Sequence, residues 1–390
     1  MNKISTNVVS RLRLGAPILA AAMLAAISLP SSLYAAGHLS DVIAVPGFEP
    51  DGLVVSHDGD VLYGVVNTGT FESALLVVNT QFNSITAITP LFHFGTAKHS
   101  FEGIQILEAP AENLVYVLNF GNTVPSTASI DVIDEATNTQ VATFNSPQVG
   151  PGPIGFAATP DGKELWVANA EAGFNNGTVQ VVDTATGLAI AQINVGGNPN
   201  TIVFNSAGTI AYVLNSGAFP GFAAGWVDEI NVQTFDTIKN NIALKNGNIN
   251  FPNPLAMVIS KDDKSLLISN GLNTLNQVTV PKGLVPSIAQ MFTTDNPGLG
   301  FQQLAQTVLS PGGATVYAAA SGDDSVRFAN TKTFLSGAPI FLPGGAVPYF
   351  MALSPSGKTL YVSNFNNTGF GTTPVGGLES ISVITGLSPK

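Results

Sequence analysis

The chain of 390 residues carries 14 Lys and Arg against 25 Asp and Glu, a net charge of −11, and contains no cysteine. The missing thiols exclude disulfides, thiol catalysis and thiolate metal sites, and the acidic balance repels phosphate backbones, so nucleic acid is not an expected partner. At this length a core can be buried without covalent staples.

Lys3, Arg11 and Arg13 precede an apolar run over residues 14–29 and a small-residue stretch, SSLYAA, over 31–36. That order of positive, apolar and small residues predicts a secretory signal peptide over 1–36 and a single mature domain over 37–390, exported to the periplasm or the exterior. The apolar run is shorter than the roughly 20 residues a bilayer span needs, and Pro17 breaks it. No second long apolar run follows, so no transmembrane segment is expected in the mature chain, and its acidic surface favours a monomer.

Residues 41–50, DVIAVPGFEP, have the pattern of an outer strand with no partner before it. From there one unit recurs seven times: a short apolar strand, a turn, and a second strand ending in a small polar residue. In chain order the copies are PDGLVVSHDGDVLYGVVN (50–67), FEGIQILEAPAENLVYVLN (101–119), PIGFAATPDGKELWVAN (153–169), PNTIVFNSAGTIAYVLN (199–215), PLAMVISKDDKSLLISN (254–270), FQQLAQTVLSPGGATVYAAAS (301–321) and PYFMALSPSGKTLYVSN (348–364). Their closing residues, Asn67, Asn119, Asn169, Asn215, Asn270, Ser321 and Asn364, are 43 to 55 positions apart. Between units run two more alternating segments, as in TVQVVDTATGLAIAQINVGGNP (178–199), where Val and Ile alternate with small or polar residues and Asp, Thr and Gly supply the turns. Four strands in such a period make a propeller blade. The expected fold is therefore all-β, a seven-bladed β-propeller with four antiparallel strands per blade. The last unit ends in SISVIT (380–385) without a fourth strand, so residues 41–45 are expected to supply it and close the ring, removing two exposed edges.

The segments LYVSN (360–364), YVLN (116–119 and 212–215) and VIDEATNTQVATF (132–144) resemble the YVTN-type seven-bladed propeller family, over essentially the whole mature chain. The resemblance implies a surface-layer or periplasmic kind of protein. It is nearly silent on chemistry, because these motifs describe blade packing. The sixth unit, closing on YAAAS (317–321), departs furthest from the pattern.

In such a ring the loops between second and third strands share a face with the starts of the innermost strands. Those loops are long and varied, at 67–73, 119–129, 169–177, 215–226 and 364–377, whereas first-to-second and third-to-fourth turns are short and read as structural. Variable loops on a rigid scaffold are where ligands bind, so the long-loop face is the candidate functional one. Asp51, Glu102, Asn200 and Gln302 stand where innermost strands begin, with Ile154, Leu255 and Tyr349 at the matching places in other units. Carboxylate and amide oxygens converging there suit calcium or another divalent metal. These strand starts also resemble those that hold the metal of gluconolactonase-type propellers, which implies a metal polarising a lactone carbonyl, with His99 as the candidate base or ligand beside it. Phe71, Phe120, Phe174, Phe219, Phe222, Phe365 and Phe370, with Trp226, recur in the long loops. They form either a contiguous apolar binding surface or plugs between neighbouring blades. The Asn closing most units is expected to satisfy backbone groups where the loop begins.

GPGPIG (150–155) matches a dinucleotide fingerprint only literally, since it precedes a strand, and SGKT (356–359) lacks the first glycine of a phosphate loop, with Ala352 in its place. No complete catalytic set is present. The leading expectation is an exported, non-catalytic binding or scaffold propeller that engages a protein or small-molecule ligand through its long-loop face. The alternative is a metal-dependent hydrolase of lactone type at the channel mouth, using Asp51, Glu102 and Asn200.

Overall fold

The computed structural model describes residues 37–67, 73–91, 103–109, 113–121, 127–170, 176–217, 225–246, 249–250, 254–270, 274–280, 288–293, 304–365 and 379–388. Among them there is no helix, and so none long and apolar enough to cross a membrane. The strands form seven four-stranded antiparallel sheets and one small hairpin, Lys245–Asn246 with Ile249–Asn250. Blade 1 runs from its inner edge outward as Glu49–Val55, Val61–Asn67, Ser73–Asn79 and Ser84–Pro90. The next five blades repeat this order, and blade 6 ends in a fourth strand of only two residues, Ile340–Phe341. The inner strands, which begin at Glu49, Gly103, Pro153, Pro199, Pro254, Leu304 and Pro348, each contact the next, and the last contacts the first. The sheets therefore close into a ring, a β-propeller.

Closure works as the unpaired ends of the repeat require. Blade 7 takes Pro348–Leu353, Leu360–Asn364 and Ser380–Thr385 from the end of the chain, and its fourth strand is His38–Ala44. Ala44 stands opposite Ser380, Ile43 opposite Ile381 and Asp41 opposite Val383, and Val45 N donates to Glu379 O at 2.9 Å. The strand begins three residues earlier than the sequence pattern places it.

The cores lie between blades. Each sheet is covered on both faces by its neighbours, so second and third strands read as apolar runs rather than alternations: Leu62, Tyr63, Val65 and Val66 are all buried. One cluster joins Leu62, Leu76 and Val78 of blade 1 to Tyr361, Ile381 and Val383 of blade 7. Another sets Tyr63, Val65 and Val77 against Val115, Val117 and Ile133 of blade 2. The outermost strands face water and return to alternation, with Val141, Ile190 and Ile238 exposed. The first-to-second turns of blades 1, 3, 5, 6 and 7 share one construction. A Ser or Thr side chain accepts from the amide five residues on, as in Ser56 Oγ from Val61 N (3.0 Å), Thr159 Oγ1 from Glu164 N (3.1 Å) and Ser354 Oγ from Thr359 N (3.1 Å). The tip needs a positive φ, met by glycine at Gly59 and Gly162, and by Asp263 (φ 57) in blade 5.

Candidate functional site

Strand register fixes which residues stand level at the mouth of the channel. Gly103, Pro153 and Pro199 each pair with the Asn that ends the second strand of their blade, and Leu304 pairs with Ala320 at the same place. The next residues, Ile104, Ile154, Asn200 and Ala305, are therefore equivalent, and Asp51, Leu255 and Tyr349 complete the tier in the remaining blades. All seven line one cavity of about 530 Å³. The sequence pattern assigned Glu102 and Gln302 to this tier. The register puts Ile104 and Ala305 there instead, because blades 2 and 6 lack the proline that marks the strand start elsewhere. Glu102 and Gln302 themselves lie outside the described residues, as do His99, Phe71, Phe174, Phe219, Phe222, Phe370 and the segment 1–36.

The two members of the tier that carry a carboxyl or an amide, Asp51 and Asn200, are both buried. Asp51 accepts a hydrogen bond from the Asn67 side-chain amide. Asn200 donates to Ser216 Oγ at 2.7 Å and to Pro254 O, in the next blade, at 2.8 Å. They belong to blades 1 and 4, with Ile104 and Ile154 between them on one side and Leu255, Ala305 and Tyr349 on the other. Among the described residues this tier thus offers a cation one carboxylate, one phenol and one amide oxygen, Asn200 Oδ1, which has no hydrogen-bond partner. That is a poor match to a calcium ion, which takes about six to eight oxygen ligands.

Deeper tiers are apolar or aromatic with a few amides. Ile106, Phe156, Ile202 and Met257 line the wall. Gln105 and Gln306 turn their side-chain oxygens to the backbone of the next blade, accepting from Phe156 N at 3.2 Å and from Met351 N respectively. This anchors the glutamines and leaves their amide NH₂ groups as donors. On the blade 7 side stands an aromatic group: Tyr349 lies 5.0 Å, centroid to centroid, from both Phe350 and Phe365, near edge-to-face. Burial, with a smaller contribution from the Asp51 charge, raises the pKa of the Tyr349 phenol above its ordinary value, so it enters the cavity as a neutral hydroxyl.

The aromatic candidates divide. Phe120 and Phe365 line the channel cavity. Trp226, at the start of a third strand, lies across the backbone of Gly196 in the preceding blade, where a Cβ would be 2.1 Å from its ring. It fills the junction between blades 3 and 4. The repeated Asn does more than satisfy nearby backbone. Asn119 and Asn215 donate to carbonyls two residues back, at 3.5 and 3.2 Å, and also reach the third-strand carboxylates Asp131 (2.9 Å) and Asp228 (3.1 Å). Asn364 bonds Ser380 Oγ and Ser382 Oγ in the same way. This is scaffold, repeated in blades 2, 4 and 7, whereas blade 6 has Ala320 at the same place.

No family model and no curated protein matches the chain. Its fold has solved counterparts. One is similar: Kuenenia stuttgartiensis hydrazine synthase, with a TM-score of 0.67, 18% identity, and coverage of 89% of this chain and 97% of that one. At that identity the likeness shows the propeller alone and carries no chemistry across. The YVTN-type resemblance rests on the motif residues themselves.

Sequence reasoning missed Gln105, Gln306, Phe350 and Met257 as lining residues. The available signal was the tier: counting inward from the residue that pairs with the end of each second strand finds all of them.

Proposed function

We propose that this chain is an exported, non-catalytic binding propeller that takes a small, largely apolar or aromatic molecule into the channel from the long-loop face. The observation that carries the reading is the cavity of about 530 Å³ built by all seven inner strands and lined mainly by apolar and aromatic side chains, with few polar groups at fixed places. Concave apolar sites with a small number of placed polar groups are the usual form of small-molecule sites. Export is supported by the order of charged, apolar and small residues over 1–36.

The test is a titration of the purified protein with N-phenyl-1-naphthylamine, a neutral apolar probe that brightens when it leaves water. The wild-type protein should bind it saturably, one per chain. Leu255→Trp, at a partly buried mouth position, should narrow the cavity and weaken the probe at least about tenfold, a loss of about 1.4 kcal/mol, with an unchanged melting temperature. Non-saturable brightening, or equal affinity in the variant, would overturn the reading.

A further inference from the structure

At the end of the ring opposite the cavity mouth, the short turns bring three metal-ligating side chains from two blades together. His57 lies in the turn between Val55 and Val61 of blade 1, Glu108 near the end of the inner strand of blade 2, and Glu135 just after the third strand of blade 2, Ser129–Asp134. One ligand atom of each lies within 4.8 Å of those of the other two. Glu108 Oε1 accepts from His57 N at 2.7 Å and lies 2.8 Å from His57 Nδ1. The Glu108 side chain keeps 8% of its exposure, whereas His57 keeps 50% and is open to water. Glu135 is held by its own backbone, with N donating to Asn113 O at 3.1 Å.

Two features go beyond acidic groups lying close together. Glu135 Oε1 is shut off from solvent and accepts no hydrogen bond, which leaves a buried carboxyl oxygen without a donor, an arrangement that costs free energy unless a ligand satisfies it. Among the described residues no lysine or arginine pairs with either carboxylate. The donor set also selects among cations: an imidazole beside two carboxylates disfavours calcium and magnesium, which take oxygen ligands, and suits a borderline first-row ion.

We propose that His57, Glu108 and Glu135 form a site for one divalent transition-metal ion, zinc by the character of the donors, tying blade 1 to blade 2 on the face opposite the cavity. The three protein ligands leave coordination open on the exposed His57 side, where water would complete the shell.

The purified protein, stripped with EDTA and exchanged into metal-free buffer, is titrated calorimetrically with zinc chloride and separately with calcium chloride. Zinc should bind once per chain, raise the melting temperature, and outcompete an equal concentration of calcium. Glu135→Gln keeps the shape and removes the charge. Like His57→Gln, it should weaken zinc at least about tenfold, because losing a direct ligand costs no less than losing an outer-shell partner. Melting curves in metal-free buffer establish that both variants fold, and the two are read independently. The proposal is overturned by no stoichiometric zinc binding, by zinc affinity equal to wild type in both variants, which would locate the ion at another of the four histidines, or by calcium binding as tightly as zinc.

Discussion

Ile43 is the residue through which the closing strand grips the ring. It is 5% exposed and packs with Leu53, Leu62, Tyr361 and Ile381 across the seam of blades 1 and 7, whereas Val42 beside it is 40% exposed. Ile43→Ala deletes three buried carbon atoms from a position fixed by strand pairing at Ile381, so the cavity cannot fully collapse. Large-to-small changes of this kind cost about 2–5 kcal/mol, and about 3 kcal/mol is a fair central value here. A domain of about 350 residues gains roughly 2.1 cal/mol/K per residue on unfolding, so about 3 kcal/mol lowers the melting temperature by about 4 °C. Val42→Ala should cost no more than about 0.5 kcal/mol and move it by less than about 1 °C. Melting followed by circular dichroism measures both, and hydrogen exchange locates the loss. Because the strand seals the ring, Ile43→Ala should lower protection in blades 1 and 7 together. The reasoning fails if the two variants melt alike, or if only amides 38–44 lose protection while the melting temperature stays put.

Two further outcomes follow from the same packing. Asp131 is buried, and burial pushes its carboxyl up to about 7 against the opposing hydrogen bonds of Asn119 and Thr143. Its folded pKa lies above the unfolded value, so the folded protein holds a proton that the unfolded chain has released. Stability should therefore fall as pH rises from about 4 to about 7 and then level off, by at most about 4 kcal/mol. Asp131→Asn should flatten that slope, since Asn119 Oδ1 has no partner and can accept from the new amide once its own side chain turns; urea titrations at several pH values would refute this by finding the same slope in both proteins. Gly155→Ala would place a Cβ 2.0 Å from the carbonyl oxygen of Asn200 in the next blade. Backbone cannot yield as a side chain does, so the loss should exceed about 3 kcal/mol. Gly59→Ala, at φ +85 with Pro355 Cδ at 3.7 Å, should cost about 1–2 kcal/mol, and a comparison of denaturation midpoints separates the two.

The ring, its blade count and its closure were legible because every unit repeats the same solution to the same packing problem. Strand starts were less so. Proline marks them in Pro153, Pro199, Pro254 and Pro348, and where it is missing only the register shows that Ile104 and Ala305 hold the tier position. Phe120 and Phe365 were visible as recurring aromatics, but their place in the cavity wall depends on how neighbouring blades meet, which no local pattern encodes. The short turns were read as structure alone, and that reading hid the group formed by His57, Glu108 and Glu135. Yet the sequence holds a rule that finds such groups. Several polar contacts between neighbouring blades join residues about one repeat apart: His57 with Glu108 and Gln105 with Phe156 at 51 positions, Asn200 with Pro254 at 54, Ser206 with Asp263 at 57 and Gln306 with Met351 at 45. In a ring of blades, one period along the chain is one step around the ring, so residues at equivalent heights become neighbours. Chemistry in a propeller is therefore to be sought among side chains a blade length apart, and of the five pairs only His57 with Glu108 joins two ionisable groups.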